Sequence, residues 1–332
     1  MGRDYPLIVY FCRRNRKMKK IILAAGCWPA RLRLICLMAG GFLALGLFAQ
    51  QDAQYSQYMF NQLALNPAYA GSREVLSSTL LYRDQWTGIQ GAPSTGAFSI
   101  QSPIKNKKIG IGAELISDKL GPKSVTSLLG SYSYRIPFMK GKLSFGLRLG
   151  MYDYVIDWNK IEYKDQNDVY NTHNKTSKIT GTGDFGMYYY TRTFYWGVSY
   201  DHINKGKISD SGLDSSSRQA VHFFMPVGKA FMLGKTVFNP TLVIKAASHA
   251  PASMDLSLNL LLKERLWLGM SFRSGYGVVF LTQFLINEHM KAGYSYDIGK
   301  NKIGNVGKGS HEIMIGYDIN IHSAKVFNPR FL

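Results

Sequence analysis

The feature that most constrains this chain is an alternation of apolar and polar residues that recurs from Val75 almost to the C-terminus. Between positions 142 and 151, every odd position holds leucine, phenylalanine or methionine, while the even positions hold lysine, serine, glycine or arginine. Successive side chains of a strand point to opposite faces, so this pattern predicts strands with one apolar and one polar face.

The length of the alternating segments separates two kinds of β protein. Strands of soluble sandwiches average about six residues, whereas strands that cross an outer membrane need about 9–11. Segments of the longer kind predict an all-β fold: a transmembrane antiparallel outer-membrane β-barrel of about 14 strands. The 14 segments are 75–83, 94–102, 107–117, 125–136, 142–153, 182–191, 193–202, 217–229, 236–247, 254–263, 265–273, 277–286, 289–298 and 310–320.

The connections between these segments support the barrel. Most even-numbered connections are tight, whereas three odd-numbered ones are long: Tyr154 to Gly181, Ile203 to Ser216 and Gly299 to Gly309. Short turns on one side and long loops on the other are typical of outer-membrane barrels. We therefore expect the N-terminus of the barrel on the periplasmic side, with Ser274–Tyr276 as a short exception among the outer loops.

The first 49 residues have the composition of a signal peptide. An apolar run from Leu34 to Ala49 follows basic residues and ends before polar positions, which predicts cleavage after Ala49. Residues 1–17 precede a natural start at Met18 and are interpreted as an extension of the start site. All three cysteines lie in this leader, so the processed chain, residues 50–332, would have neither disulfides nor thiolate sites.

Residues 50–74 precede the first strand and fit neither pattern. Pro67 fixes φ and pushes Asn66 away from helical geometry, while Gly71 predicts a turn before the sheet. We predict a periplasmic or plug segment that packs at the mouth of the barrel (75–332) or inside it, with Asn66 as its polar anchor. The residues chosen as this partner or plug segment are Tyr58, Phe60, Asn61, Asn66, Pro67, Ala68, Tyr69 and Gly71.

The polar face of each strand is predicted to line the lumen. Mixed signs of charge there predict internal salt bridges and a plugged or narrow interior. Leu147 should face lipid and Arg148 the lumen, so Leu147→Arg is expected to disrupt assembly more than Arg148→Leu. Asp201 and His202, adjacent on a strand, are expected to point to opposite faces. The lumen candidates are Glu114, Arg148, Asp201, His222, Lys245, Asp255, Arg273, Lys291, Asp297 and Asp318.

Motifs for catalysis, cofactors and metals do not appear in the sequence. HExxH, CxxC and GxSxG are absent, and Ser310, His311 and Glu312 could be imagined as part of a hydrolase set. We predict no enzyme activity, no cofactor and no metal site. The formal charge is +19, of which nine Lys and Arg and one Asp in the leader supply +8, leaving +11. These cations are scattered among turns and strands, which argues against nucleic-acid binding.

Several blocks of the chain resemble a known family. Residues 57–61 (QYMFN) and 65–71 (LNPAYAG) look like the opening signature of the PorP/SprF proteins of the type IX secretion system. Arg83, Gln85 and Trp86 resemble a loop motif in the family's next block. Later similar positions are Gly91–Pro93, Asp118 with Gly121, Gly293–Tyr294, Tyr296–Asp297, Ser310–Glu312 and Asn328–Phe331.

The resemblance implies an outer-membrane component of type IX secretion and gliding in Bacteroidota. It implies, besides outer-membrane lipids, partners among the periplasmic ring lipoprotein and ring protein or a peptidoglycan-binding protein, and secreted cargo with a matching C-terminal domain. An alternative remains open, because Asn66–Ala68 before the first of 14 strands also resembles long-chain fatty-acid transporters. A transporter of hydrophobic small molecules should enclose a continuous apolar pocket, whereas a docking protein should have a blocked lumen.

Overall fold

The computed structural model describes residues 54–104, 107–161, 174–208, 217–248, 250–300 and 306–320. The predicted signal peptide (1–49) and the C-terminal motif at 328–331 lie outside these residues. None of the helices in the described ranges is long and apolar enough to span a membrane.

The described chain forms one antiparallel sheet of 15 strands. Each strand pairs with the next along the chain except β8, which pairs with β10 instead of β9. Because β1 also pairs with β15, and β10 with β11, the sheet closes on itself. The strands are β1 (Leu76–Asp84), β2 (Ser94–Ile104), β3 (Ile109–Leu120), β4 (Lys123–Phe138), β5 (Gly141–Asp157), β6 (Lys175–Tyr190), β7 (Phe194–Asp201), β8 (His222–Lys229), β9 (Phe231–Leu233), β10 (Thr236–Ala247), β11 (Ala250–Leu262), β12 (Leu266–Arg273), β13 (Gly277–Leu285), β14 (Met290–Gly299) and β15 (Ser310–Ile319).

The short strand β9 continues β8 past Ala230, and both pair with β10. The two are therefore parts of one barrel strand, and the closed barrel has 14 strands in effect. The predicted fold class and strand count are confirmed.

The two faces of the strands differ as the alternation predicts. On β5, Leu147 and Leu149 are 57% and 70% exposed on the outer wall, whereas Arg148 and Ser144 are buried inside. A hydrocarbon-facing wall needs apolar side chains, and an enclosed interior allows polar ones when they have partners. The predicted strand register is confirmed at these positions.

Two predicted strand boundaries were wrong. The loop expected from Tyr154 to Gly181 is shorter, because β5 runs to Asp157 and β6 begins at Lys175. Most side chains at 175–179 are exposed on both faces, so the sequence there has no alternation to reveal the strand. The segment expected from 217 enters the sheet only at His222, because Arg218 bridges to Lys207 within its own connection.

The connections define two ends of the barrel. At the turn end, where the chain enters β1 and leaves β15, the connections are 105–108, 139–140, 191–193, 234–235, 263–265 and 286–289, with Ala230 as the only residue between β8 and β9. The opposite loop end carries the long connections 85–93, 158–174, 202–221 and 300–309, together with the tight ones 121–122, 248–249 and 274–276. Short exceptions on the loop side are therefore more numerous than Ser274–Tyr276 alone.

Asp201 and His202 do not face opposite sides, contrary to expectation. Strand β7 ends at Asp201, and His202 has a φ of +59°, which turns its side chain back into the barrel. His202 Nδ1 lies 2.8 Å from the hydroxyl of Thr182, and its ring lies 5.8 Å from that of His222. The strict alternation of strand side chains stops where the strand stops.

Candidate functional site

Residues 54–75 lie inside the barrel and form a plug. They run from the loop end, where Tyr55 packs against Leu81 and Ala97, to the turn end, where Glu74 reaches Lys107. The segment contains three single-turn 3-10 helices, Tyr58–Phe60, Gln62–Ala64 and Pro67–Tyr69. The third helix begins where the sequence predicts a break, because Asn66 is extended and Pro67 occupies the first helical position.

Backbone groups of the plug are satisfied by side chains of the barrel wall. The hydroxyls of Ser144, Ser133 and Ser199 donate to the carbonyls of Ala68, Ala70 and Leu65 at 2.7, 2.7 and 2.5 Å. An irregular segment can be buried only if its peptide groups find partners. The serines on the inner wall therefore supply hydrogen-bond partners that the three short 3-10 helices of the plug do not.

Asn66 fastens the middle of the plug to β6 and β7. Its Nδ2 donates to the carbonyls of Met187 and Val198 at 3.0 and 3.2 Å, and its Oδ1 accepts from the N–H of Ala68 at 2.9 Å. The side chain has no exposed surface. The amide thus bridges the plug to two neighbouring strands, and all of its hydrogen bonds are to backbone groups.

Glycines on the inner wall give the plug its space. A methyl group on Gly186 would overlap the amide of Asn66, and one on Gly146 would overlap the backbone at Ala68. Gly71 of the plug has a φ of +66° and lies against Gly110 of β3, so it turns the chain as predicted. The close approach of two backbones explains these glycines better than strand flexibility does.

The aromatic residues of the plug pack on the inner wall. The ring of Phe60 lies 6.0 Å from that of Trp267, and the ring of Tyr69 lies edge-on to Tyr188 at 5.4 Å. Tyr58, Tyr69, Ala68 and Asn61 are buried and Phe60 is half-buried. Burial of one such ring contributes about 1.5–3 kcal/mol, so the predicted plug residues act together as an apolar anchor.

A buried ion network ties the plug to the wall near the loop end. Arg83 contacts Asp297 at 2.7 Å and Glu312 at 3.1 Å, and these carboxylates accept from the hydroxyl of Ser56 and the N–H groups of Ser56 and Gln57 at 2.7 Å. The cation compensates two desolvated anions, of which Glu312 binds the plug backbone and Asp297 binds a plug hydroxyl.

Arg83 was predicted as part of a loop motif with Gln85 and Trp86, and the structure differs. Arg83 lies on β1 and faces the lumen with 1% exposure, because it continues the inward series that includes Leu81. Gln85 and Trp86 follow in the connection after β1 and are half-buried. The N–H of Trp86 donates to the hydroxyl of Ser310 at 3.1 Å.

Arg148 is the centre of a second network. Its guanidinium binds Asp184, Glu114 and Asp201 at 2.5, 3.0 and 2.7 Å. Its Nη1 also donates to the carbonyl of Leu63 in the plug at 3.3 Å. One cation therefore faces three buried carboxylates and the plug at once.

A third network surrounds Asp255. Its carboxylate accepts from Lys245 at 2.7 Å and from Arg273 at 3.1 Å. Arg273 also donates to the carbonyl of Tyr55 at 3.2 Å, and Lys245 lies 4.8 Å from the centre of the Tyr58 ring. This network binds the plug both through its backbone and through an aromatic face.

The plug is fixed at the turn end by two further carboxylates. Asp318 binds Arg73 at 2.8 Å and Lys291 at 3.6 Å. Glu74 accepts from Lys107 at 2.9 Å and Lys142 at 2.5 Å. Burial raises the pKa of Glu74, but the hydrogen bonds and charges of the two lysines outweigh burial, so the pKa lies below its ordinary value.

All ten lumen candidates face the interior, and nine of them take part in these networks. The tenth, His222, is buried beside His202. Sequence reasoning missed Asp184, Arg73 and Glu74, and it noted Glu312 only as part of a motif. Asp184 could have been predicted, because the alternation along β6 puts it on the same inward face as Gly186, two positions away. Arg73 and Glu74 carried none, because they lie outside the alternating segments.

Two cavities lie on opposite sides of the plug. The one towards the loop end measures about 130 Å³ and is lined by Tyr55, Tyr152, Tyr154, His222 and Lys123 among others. The one towards the turn end measures about 50 Å³, with Phe60, Trp267, Gln283 and Lys291 in its wall. Plug residues 58–65 lie between them: Tyr58, Ala64 and Leu65 line the first cavity, and Met59, Phe60 and Gln62 line the second.

Ser310, His311 and Glu312 do not converge. Ser310 and Glu312 are buried in the lumen, whereas His311 lies on the outer wall, where its Nδ1 is 2.7 Å from the hydroxyl of Tyr294. Neighbouring residues of a strand point to opposite faces, so this trio cannot act as a hydrolase set.

Comparison with known proteins gives one match to a family. The sequence profile described as "Type IX secretion system membrane protein PorP/SprF" matches residues 47–317. No curated protein is significantly similar to the chain in sequence.

Solved structures of outer-membrane barrels are among its structural neighbours. Omp33 of Acinetobacter baumannii is 10% identical with a TM-score of 0.40, covering 74% of this chain and 99% of its own. A TodX mutant, described as a monoaromatic hydrocarbon channel, is 10% identical with a TM-score of 0.45, covering 84% and 97%. Salmonella typhi OmpF is 10% identical with a TM-score of 0.36, covering 74% and 97%.

Proposed function

Since the chain belongs to the PorP/SprF family of type IX secretion system membrane proteins, we propose that it is a non-enzymatic docking component of that machine. The protein lies in the outer membrane. In our proposal the barrel holds periplasmic components, secreted cargo or both at this membrane, and it offers its two ends as contact surfaces.

The observation that carries this proposal is the plug. It is fastened by buried ion networks near the loop end and by Arg73 and Glu74 at the turn end. Breaking a buried ion pair costs about 3–5 kcal/mol, so several such networks favour a permanently filled lumen. A filled barrel suits a protein that binds others better than one that conducts solutes.

In our proposal, each end of the barrel meets a different class of partner. Outer-membrane barrels have short periplasmic turns and longer extracellular loops, which puts the turn end in the periplasm. There it would meet the periplasmic ring lipoprotein, the ring protein or a peptidoglycan-binding partner. Secreted cargo, through its C-terminal domain, would meet the loop end.

Transport of hydrophobic small molecules is the alternative function. It needs a continuous apolar path, whereas the two cavities described above lie on opposite sides of residues 58–65. Charged residues such as Lys123 and Lys291 also line them. These features favour docking over transport.

The experiment replaces the anchors of the plug. Tyr58→Ala with Asn66→Ala removes a buried ring and the amide that bridges to β6 and β7. We expect the barrel to reach the outer membrane while secretion of type IX cargo falls. Tyr132→Ala, on the lipid-facing wall, is the matched control and should leave both unchanged.

The measurement compares barrel abundance in the outer membrane with cargo in the medium. A strain that lacks the chain provides the lower limit of secretion, and the wild-type gene restores it. Full secretion in the deletion strain would contradict the docking function, and uptake of hydrophobic solutes would then be tested. Full secretion with the double variant at normal abundance would reduce the plug to a structural element.

A further inference from the structure

A belt of outward-facing aromatic rings marks the membrane boundary at the turn end. Phe138 lies 6.1 Å from Tyr189, and Tyr189 lies 6.5 Å from Phe194. Phe231 stacks on Phe238 at 6.2 Å on the hairpin further round the barrel. Aromatic girdles lie at the interfaces of outer-membrane barrels, so residues beyond these rings lie in the periplasm.

Large apolar side chains are exposed beyond this belt. Met139 is 85% exposed in the turn between β4 and β5, and Met232 and Leu233 are 56% and 63% exposed on β9. Within the described ranges, strand β9 pairs with β10 alone, so the β9–β10 hairpin extends past its other neighbour. Successive residues of a strand point to opposite faces, so this hairpin exposes apolar groups on both.

The same turns carry only positive charge. Lys140, Arg192 and Lys235 are exposed, and the stretches 138–142, 190–194 and 229–236 contain no aspartate or glutamate. At the loop end, by contrast, the sign of charge is mixed, since Asp157 lies within 4 Å of both Lys160 and Lys175. The turns at 139–140, 191–193 and 234–235 are consecutive around the barrel, which spaces them over roughly 20 Å at the usual strand separation.

We propose that Met139, Lys140, Arg192, Met232, Leu233 and Lys235, here named the basic turn sector, dock an acidic surface of a periplasmic protein with an apolar centre. Exposed apolar groups rimmed by charge mark interaction sites, and the single sign of charge selects an acidic partner. Anionic lipid headgroups would meet only the outer face of the hairpin, whereas both faces are exposed beyond the aromatic belt. This inference rests on the proposed docking function and names the surface that performs it.

Photocrosslinking in living cells tests the sector directly. Benzoylphenylalanine replaces Met232 in one strain and Leu149, on the lipid-facing wall, in the control strain. We expect a protein adduct of defined mass at position 232 and none at 149. An adduct at 232 that contains only lipid would overturn the proposal in favour of headgroup binding.

Charge reversal then decides whether the adduct depends on the basic side chains. Lys140→Glu, Arg192→Glu and Lys235→Glu are combined with the crosslinker at 232. The matched control combines Lys119→Glu, Lys205→Glu and Lys300→Glu, three exposed lysines at the loop end. We expect the sector variant to lower the adduct yield at least about fivefold and the control variant to leave it unchanged.

Heat-modifiable gel mobility confirms that both variants contain folded barrel. An unchanged adduct in the folded sector variant would overturn the proposed surface. Cargo secretion in a strain lacking the chain measures the docking function separately. Loss of secretion in that strain together with an unchanged adduct would reject the surface alone, whereas full secretion there would reject the docking function.

Discussion

The outer and inner walls of this barrel come from the same strands but are organised by different rules. On the outer wall, Leu147 and Leu149 face a uniform hydrocarbon environment and need no particular partner. On the inner wall, Arg148 has three carboxylates and a plug carbonyl as partners. One wall is specified by residue class alone, whereas the other is specified by pairs of residues.

This difference decides how each wall responds to substitution. An apolar residue facing lipid can be exchanged for another apolar residue with little consequence. A buried charge cannot be exchanged alone, because the partner that remains is left without compensation in a poorly solvated interior. The most damaging substitutions should therefore lie on the inner wall.

The strongest test compares the neighbours Leu147 and Arg148. Arginine at a mid-membrane lipid position costs about 2–4 kcal/mol. Removing Arg148 leaves Glu114, Asp184 and Asp201 together without their cation. Loss of one partner from a buried pair already costs about 3–5 kcal/mol, so Arg148→Leu should unfold at lower denaturant than Leu147→Arg. This expected order is the opposite of the one predicted from the sequence alone.

Urea unfolding of barrels folded into lipid vesicles measures this order. A rescue variant adds Glu114→Gln, Asp184→Asn and Asp201→Asn to Arg148→Leu, which removes the uncompensated charges. We expect the rescue variant to recover a large part of the lost stability. A rescue variant as unstable as Arg148→Leu would show that the cation acts through packing instead.

The change in the expected order shows which features of the barrel could be predicted from the sequence and which could not. Period-two alternation was sufficient to place Leu147 outside and Arg148 inside, because that decision depends on one strand. It could not show that Asp184 would lie beside Arg148, since that contact depends on the pairing of β5 with β6. Nor could it show that Leu63 of the plug would accept a bond from the same guanidinium. Long-range pairs are determined only when register and plug position are both known.

A second test measures how tightly the plug packs against the inner wall, using two glycines of β6. Gly186 faces the plug, where a methyl group would overlap Asn66, whereas Gly183 has its nearest neighbour, a Leu149 methyl group, at 3.7 Å. Gly186→Ala should destabilise the barrel by about 1–3 kcal/mol through overpacking, or displace the plug. Gly183→Ala should change stability by no more than about 0.5 kcal/mol.

Unfolding midpoints of the two alanine variants provide the comparison. Protease cleavage within residues 54–75 would report a displaced plug in Gly186→Ala that keeps its barrel. If the two variants have equal midpoints and equally protected plugs, strand β6 must shift to accommodate the methyl group at position 186. The inner wall would then be less specific than the contacts at Asn66 indicate.

The smallest effect is expected where the plug meets water, at Glu74 on the turn end. Its carboxylate binds Lys107 and Lys142, which are 21% and 39% exposed, so solvent screens the pair and its contribution is about 1 kcal/mol or less. The two lysines hold the pKa of Glu74 below its ordinary value of 4.5 despite burial. A carboxylate with a lowered pKa stabilises the folded state above its ordinary pKa, and this contribution is lost as the pH falls through the lowered value.

Wild type should therefore melt at a higher temperature than Glu74→Gln at pH 7, and the difference in melting temperature should disappear below pH 4.5. Glu264→Gln, an exposed glutamate at the same end, is the control and should show no gap at any pH. A gap for Glu74→Gln that persists in acid would mean that the side chain anchors the plug by packing rather than by charge.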